Sequence, residues 1–231
     1  GQEPNKIAAF LAAEDDPRED VAIERCHALN LAGRWEEALA LMNGKRFVPC
    51  EGGEHAVAEQ YMFACHALGR RALAAGQTEA ALAYFRQAQV LPDNLGAGLW
   101  NDVLLVPHRF FEAVCLKKLG REAEAAACLD WIMVLRQDYF TDMNLPELPC
   151  WQAMTCTLQG RAPEAQRLLA AHLRAQDKAE TAADPGYKKT TPFFISYMED
   201  AKQLRKAGVD WQRAMTYFAA GDAQKAAALA E

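Results

Sequence analysis

Nothing in the sequence alternates polar and apolar residues at a period of two for the length of a strand, so sheets, barrels and sandwiches are set aside. No apolar run reaches the roughly 18 residues that span a bilayer, and no secretory leader or membrane partner is expected. The five histidines form no H-x-x-x-H or H-E-x-x-H pair, and the seven cysteines form no C-x-x-C. A zinc site needs three or four convergent ligands, so no metal site is expected. Positive charge is also scarce: 25 Lys and Arg stand against 31 Asp and Glu, a formal net charge of −6. Non-specific nucleic-acid binding needs a basic stripe that releases phosphate counterions, and none is present. No cysteine sits at a helix start among basic neighbours, where a thiolate nucleophile is made. The adjacent carboxylates Glu36-Glu37 and Glu122-x-Glu124 fall on outer helix faces and read as solvated surface. The chain is therefore read as a non-enzyme without catalytic, cofactor or metal residues. An odd cysteine count, with Cys65, Cys115 and Cys128 on apolar faces, points to reduced thiols and a cytoplasmic setting.

What is there is helical. From Tyr61 to Pro92 apolar residues recur in steps of three and four, with Ala58, Tyr61, Cys65, Leu68 and Ala72 on one face. Gly76 breaks the run, and Ala81, Phe85 and Ala88 restart it, which predicts an antiparallel helix hairpin. Gly69 is expected to leave room for a neighbouring backbone, and Pro92 to end the second helix.

The same device repeats. Gly33 precedes Ala38 by five, Gly76 precedes Ala81, Gly120 precedes Ala125, Gly160 precedes Ala165 and Gly221 precedes Ala226. The glycines are placed at the left-handed position that ends a helix, and the alanines where two helices cross. The intervals are 43, 44, 40 and 61 residues by subtraction, which predicts about five hairpins with additional connecting residues. The first uses roughly 18–32 and 35–42, after a short amphipathic run over 6–13 read as an orphan capping helix. The third uses about 106–119 and 122–136, with Pro107 tolerable near its start. The fourth uses 150–158 and 163–175. A polar excursion over 177–191 and a helix over 193–204 precede the last, 211–220 and 223–230. The chain opens Gly1-Gln2-Glu3-Pro4 without methionine, which reads as a tag scar on a piece of a longer protein.

Leu68-Gly69, Ala81, Phe85, Ala88 and Pro92 together resemble the tetratricopeptide repeat pattern, whose unit is about 34 residues. The resemblance covers most of residues 18–231. It implies one all-α domain over 1–231, a right-handed superhelical stack of hairpins that holds a protein or peptide on its concave face. More narrowly, Pro92, Asn94-Leu95-Gly96-x-Gly98, Leu119 to Ala125 and Phe193-Phe194-Ile195-Ser196 are similar to the carboxy-terminal repeats of large bacterial proteins that carry a carbohydrate-active domain. Leu99-Trp100 departs from that pattern, where a charged residue is expected.

Two places are candidates for binding. First helices offer Gln60, His66, Arg70, His108, Arg109 and Glu112, with Lys117, Gln152 and Arg213 further along. This lining suits an extended peptide or acidic tail held by arginine and lysine, or is ordinary surface polarity. The segment after Pro92 gathers Asn94, Trp100, Asn101 and Asp102. It binds a peptide or sugar, or its Asn and Asp cap the next helix while Leu95, Leu99 and Trp100 fill the space between hairpins. The leading reading is a protein-interaction scaffold. The alternative is an accessory part of a carbohydrate-processing enzyme, contacting a catalytic domain or glycan through Trp100.

Overall fold

Five helix-to-helix junctions carry the architecture, and all five are built alike. At each, the glycine adopts a positive φ: 74° at Gly33, 77° at Gly76, 73° at Gly120, 77° at Gly160 and 83° at Gly221. That backbone lets the next residue's N–H reach back to the carbonyl five residues earlier, closing the helix end. The bonds are Arg34 to Leu29 at 2.9 Å, Gln77 to Ala72 at 2.9 Å, Arg121 to Leu116 at 2.9 Å, Arg161 to Cys156 at 2.7 Å and Asp222 to Tyr217 at 2.9 Å. The partner alanines are all buried, from Ala38 and Ala81 at 0 % exposure to Ala226 at 9 %. A larger side chain there would hold the paired helices apart. Three junctions share a further device: the arginine after the glycine pairs with a glutamate three residues on. These pairs are Arg34–Glu37, Arg121–Glu124 and Arg161–Glu164.

The computed structural model describes residues 3–14, 16–48, 54–99, 102–136, 145–181 and 201–230. Among these, every regular element is helical, and the chain divides into two compact units, Gly1–Trp131 and Ile132–Glu231. The first unit holds α1 (Pro4–Ala13), α2 (Glu19–Leu31), α3 (Trp35–Asn43), α4 (Glu54–Ala74), α5 (Thr78–Gln87), α6 (Val106–Lys118) and most of α7 (Glu122–Val134). The second takes the end of α7 and then α8 (Leu148–Leu158), α9 (Ala162–Thr181), α10 (Ala201–Ala219) and α11 (Ala223–Ala230). Each unit is an all-α, tetratricopeptide-like stack of helix hairpins.

Helix α1 packs on α2, the place of the expected capping helix. The core of the first unit runs from Ala8 through Cys26, Leu29 and Met42 to Tyr61, Cys65 and Leu68. Two polar clasps tie it together. Asn30 Nδ2 donates to the Gln60 carbonyl at 3.0 Å and to its side-chain Oε1 at 2.9 Å, joining α2 to α4. Trp35 Nε1 donates to the Asn30 carbonyl at 3.1 Å. In the second unit Cys150, Ala153, Cys156, Ala165 and Leu169 form the core. Gln152 Nε2 donates to the carbonyls of Ile132 and Leu135 at 3.2 and 3.1 Å, satisfying the open end of α7.

The structure departs from the sequence expectations in four places. Gly69 makes room for a ring rather than a backbone: a Cβ there would stand 2.7 Å from Cε1 of Phe85. Helix α5 closes at Gln87, five residues ahead of Pro92, with Ala88 as its C-cap. The final hairpin's first helix is continuous from Ala201, so the expected break between 204 and 211 does not form. Among the described residues no side chain caps α6, whose N-cap is Leu105. Asn94 works elsewhere: its Nδ2 donates to the carbonyls of Met42 and Lys45 at 2.8 and 2.7 Å, and its own carbonyl accepts from Phe47 N–H at 2.8 Å. These bonds pin the connection after α3, while Leu95 fills the core at 0 % exposure. Trp100, Asn101 and the stretch from Phe193 to Ser196 lie outside the described residues.

Candidate functional site

The first helices of three successive hairpins, α2, α4 and α6, are joined edge to edge by polar pairs. Asn30 and Gln60 join the first two. His66 and His108 join the second two, their Nδ1 atoms 3.1 Å apart. One imidazole therefore carries its proton on Nδ1 and the other accepts there. The pair is boxed by Phe85 at 5.3 Å and Phe111 at 5.2 Å from His66, ring centre to ring centre, with Phe85 and Phe111 stacked at 5.3 Å. Burial holds both histidines well below the usual 6.5. His108 is lowered to about 4, and His66, with the charges of His108 and Arg70 adding, to about 3. Both are neutral, packed groups at neutral pH.

On α4 the angle of 100° per residue separates three directions. Tyr61, Cys65 and Leu68 point into the core. Gln60 and His66 reach sideways to α2 and α6. Between them, opposite the core, lie Glu59, Phe63 and Arg70, all exposed. Phe63 is half exposed, and Leu31 on α2 is 59 % exposed. Arg70 extends over Phe111, its guanidinium carbon 5.9 Å from the ring centre.

Beside this row, a cleft of about 320 Å³ opens between the end of α5, α6 and α7, lined by Arg86, Gln89, Val90, Leu105, Arg109, Glu112 and Cys128. Glu112 is 7 % exposed and fully engaged. Its Oε1 accepts from Arg86 Nε at 2.7 Å and its Oε2 from Gln89 Nε2 at 2.6 Å. Arg86 also pairs with Glu124 at 3.2 Å. Arg109 lies over the indole of Trp131, 4.5 Å from the ring centre, and its Nε is buried without a hydrogen-bond partner among the described residues.

Of the nine residues singled out from sequence, seven are described. The structure brings His66 to His108 and Arg109 to Glu112, while Gln60 and Asn94 serve as ties within the fold. His108 and Glu112 are buried; Arg70 is exposed. Lys117 pairs with Glu122 at 3.0 Å, and Arg213 with Asp177 at 2.9 Å. Arg86, Gln89 and Cys128 were not foreseen, since they come from elements whose approach no spacing announces. The i, i+3 pair Arg109 and Glu112 on one face of α6 was the available signal.

Six cysteines are described, all buried and unpaired. Burial pushes the thiols of Cys26 and Cys65 up to about 12 and those of Cys115, Cys128 and Cys150 to about 11, so none of these five is a thiolate near neutral pH. Among the described residues, no group of three His, Cys, Asp or Glu converges as metal ligands, and no helix is long and apolar enough to cross a membrane.

The tetratricopeptide repeat family model matches residues 21–43, 150–171 and 207–231. These are the first, fourth and fifth hairpins. Three matches on hairpins of one build support a tetratricopeptide-repeat protein. The second hairpin, whose first helix runs to 21 residues, lies outside these stretches. No solved structure matches the chain.

Proposed function

We propose that this protein is a non-catalytic interaction module in which the whole chain acts as one repeat domain and holds a peptide or partner segment against its first helices. Tetratricopeptide repeats generally serve protein–protein interaction, and the matched hairpins support that class of role. The observation that carries the reading to a surface is the exposed row on α4. Phe63 and Arg70 point away from the core, between the edges that Gln60 and His66 use to hold the neighbouring helices. Phe63, half exposed, and Arg70 put an apolar ring and a cation side by side on that row. The buried, unpaired cysteines fit the reduced interior of a cell, and the proposed location is cytoplasmic. The alternative role beside a carbohydrate-active domain rests on Trp100 and Asn101, which are not described, and no observation favours it.

A photo-cross-linking residue at Phe63 is expected to capture a protein partner in cells, while the same residue at Ala83, exposed on α5, is not. Equal capture at both positions, or none at either, would count against the first-helix surface.

A further inference from the structure

We infer that the exposed edge of α10 carrying Trp211 and Phe218 is a self-association surface, on which α10 of a second copy of this chain packs antiparallel. This goes beyond the interaction module proposed above and does not rest on it.

The register of the hairpins points to this edge. Counted back from the glycine that closes each first helix, the positions three and ten residues earlier share one helix edge, since seven residues make nearly two turns. At three joins that edge meets the first helix of the next hairpin. Asn30, three before Gly33, joins α2 to α4 through the Gln60 side chain at 2.9 Å. His66, ten before Gly76, joins α4 to α6 through His108 at 3.1 Å. Cys150, ten before Gly160, joins α8 to α10, its Sγ 3.6 Å from Thr216 Oγ1. On α10 the same two positions are Phe218, three before Gly221, and Trp211, ten before it. These rings stay 56 % and 52 % exposed. The edge that receives a helix elsewhere is open here, and aromatic.

Chemistry narrows the occupant to a second copy. At each of the three joins the side chains that meet are of one kind: amide on amide, imidazole on imidazole, thiol on hydroxyl. The match for an indole and a phenyl ring is another aromatic pair, and a second α10 supplies it at the same spacing. The two rings sit about 10 Å apart along their helix, so a two-fold axis between them sets Trp211 of each copy against Phe218 of the other. Such ring pairs settle offset or edge to face. Charge does not oppose the contact. Lys206 pairs with Asp210 at 2.6 Å, Arg213 with Asp177 at 2.9 Å and Lys225 with Asp222 at 2.8 Å, so these charges of the last hairpin are already matched. Four half-exposed rings bury about 400 Å² between them, below the ~1,200 Å² of a standard interface, so the dimer is weak, with a Kd on the order of 10–100 µM.

The test is sedimentation equilibrium on the full chain from about 1 µM to about 1 mM, which brackets that Kd. The average mass is expected to rise from the 25.6 kDa of one chain toward twice that value. Trp211→Glu/Phe218→Glu is expected to hold it at one chain, with the helical circular dichroism unchanged because both side chains are exposed in the monomer. Trp211→Glu/Phe218→Lys is expected to associate more tightly than the double-glutamate variant at low ionic strength, since each introduced acid then faces an introduced base on the second copy. Phe10→Glu, on α1 and 62 % exposed, is the control and is expected to associate like the native chain. One chain's mass at every concentration would overturn the inference. So would association that survives the double-glutamate change, that Phe10→Glu abolishes, or that grows past two copies. A charge-swapped variant no tighter than the double-glutamate one would overturn the antiparallel pairing.

Discussion

Gly69, Gly120 and Gly208 would each gain the same methyl group on mutation to alanine, and their surroundings decide three different outcomes. At Gly69 the new Cβ meets Phe85 at 2.7 Å, and that ring is fully buried and stacked on Phe111, so it cannot yield cheaply. Overpacking of this kind costs ~1–3 kcal/mol, more than the ~1 kcal/mol that alanine contributes within a helix. Gly69→Ala is expected to lower the urea midpoint, and Phe85→Leu in the same chain to restore part of the loss. Gly120 has open space but a φ of 73°, so alanine there is expected to cost ~1 kcal/mol through backbone strain alone. Gly208, in the interior of α10 with nothing within 4 Å, is expected to stabilise by ~1 kcal/mol when replaced. Three equal shifts would mean that local geometry does not govern them.

The histidine pair sets a pH dependence. In the unfolded chain both groups protonate near 6.5, whereas in the fold they resist until about 4 and about 3. Between those limits the unfolded state binds more protons, so stability falls as pH falls, by up to ~1.4 kcal/mol per pH unit for each histidine. Urea melts from pH 7 to pH 5 are expected to show a steeper loss for the native chain than for the His66→Gln/His108→Gln variant. Matching slopes would remove the pair from the acid response.

At the scale of elements, the unit of construction is the glycine junction rather than the helix. The same reach-back bond recurs at five places although the surrounding sequences differ, because it needs only a residue free to take positive φ and a small one five positions later. The step from glycine to alanine therefore identified all five hairpins. Helix ends were less legible. Asn94 looked like a cap for α6 but is drawn to the carbonyls left open after α3, 49 and 52 residues back in the chain. A local sequence pattern cannot distinguish these partners, since both are backbone groups seeking the same amide.

For the molecule as a whole, the boundary between the two compact units, at Trp131, falls inside α7. A helix shared by both units makes separate melting unfavourable, because unfolding either one frays the hydrogen bonds at its own end of α7. A single calorimetric transition is expected, with equal van't Hoff and calorimetric enthalpies. Two resolved transitions would refute the proposal that the chain acts as one domain.

The sequence by itself determined that this protein is helical, where its hairpins turn, and which small residues let paired helices close. Those features depend on neighbours within a few residues, and a period of 3.6 or a glycine at a helix end writes them directly into the order of amino acids. Only the tertiary structure decided that His66 meets His108, that Phe85 takes the place beside Gly69, and that Arg109 lies on Trp131. Each of these depends on how one helix lies against another across 16 to 42 positions of chain. Packing sets that distance and orientation, and no spacing rule along the chain encodes them.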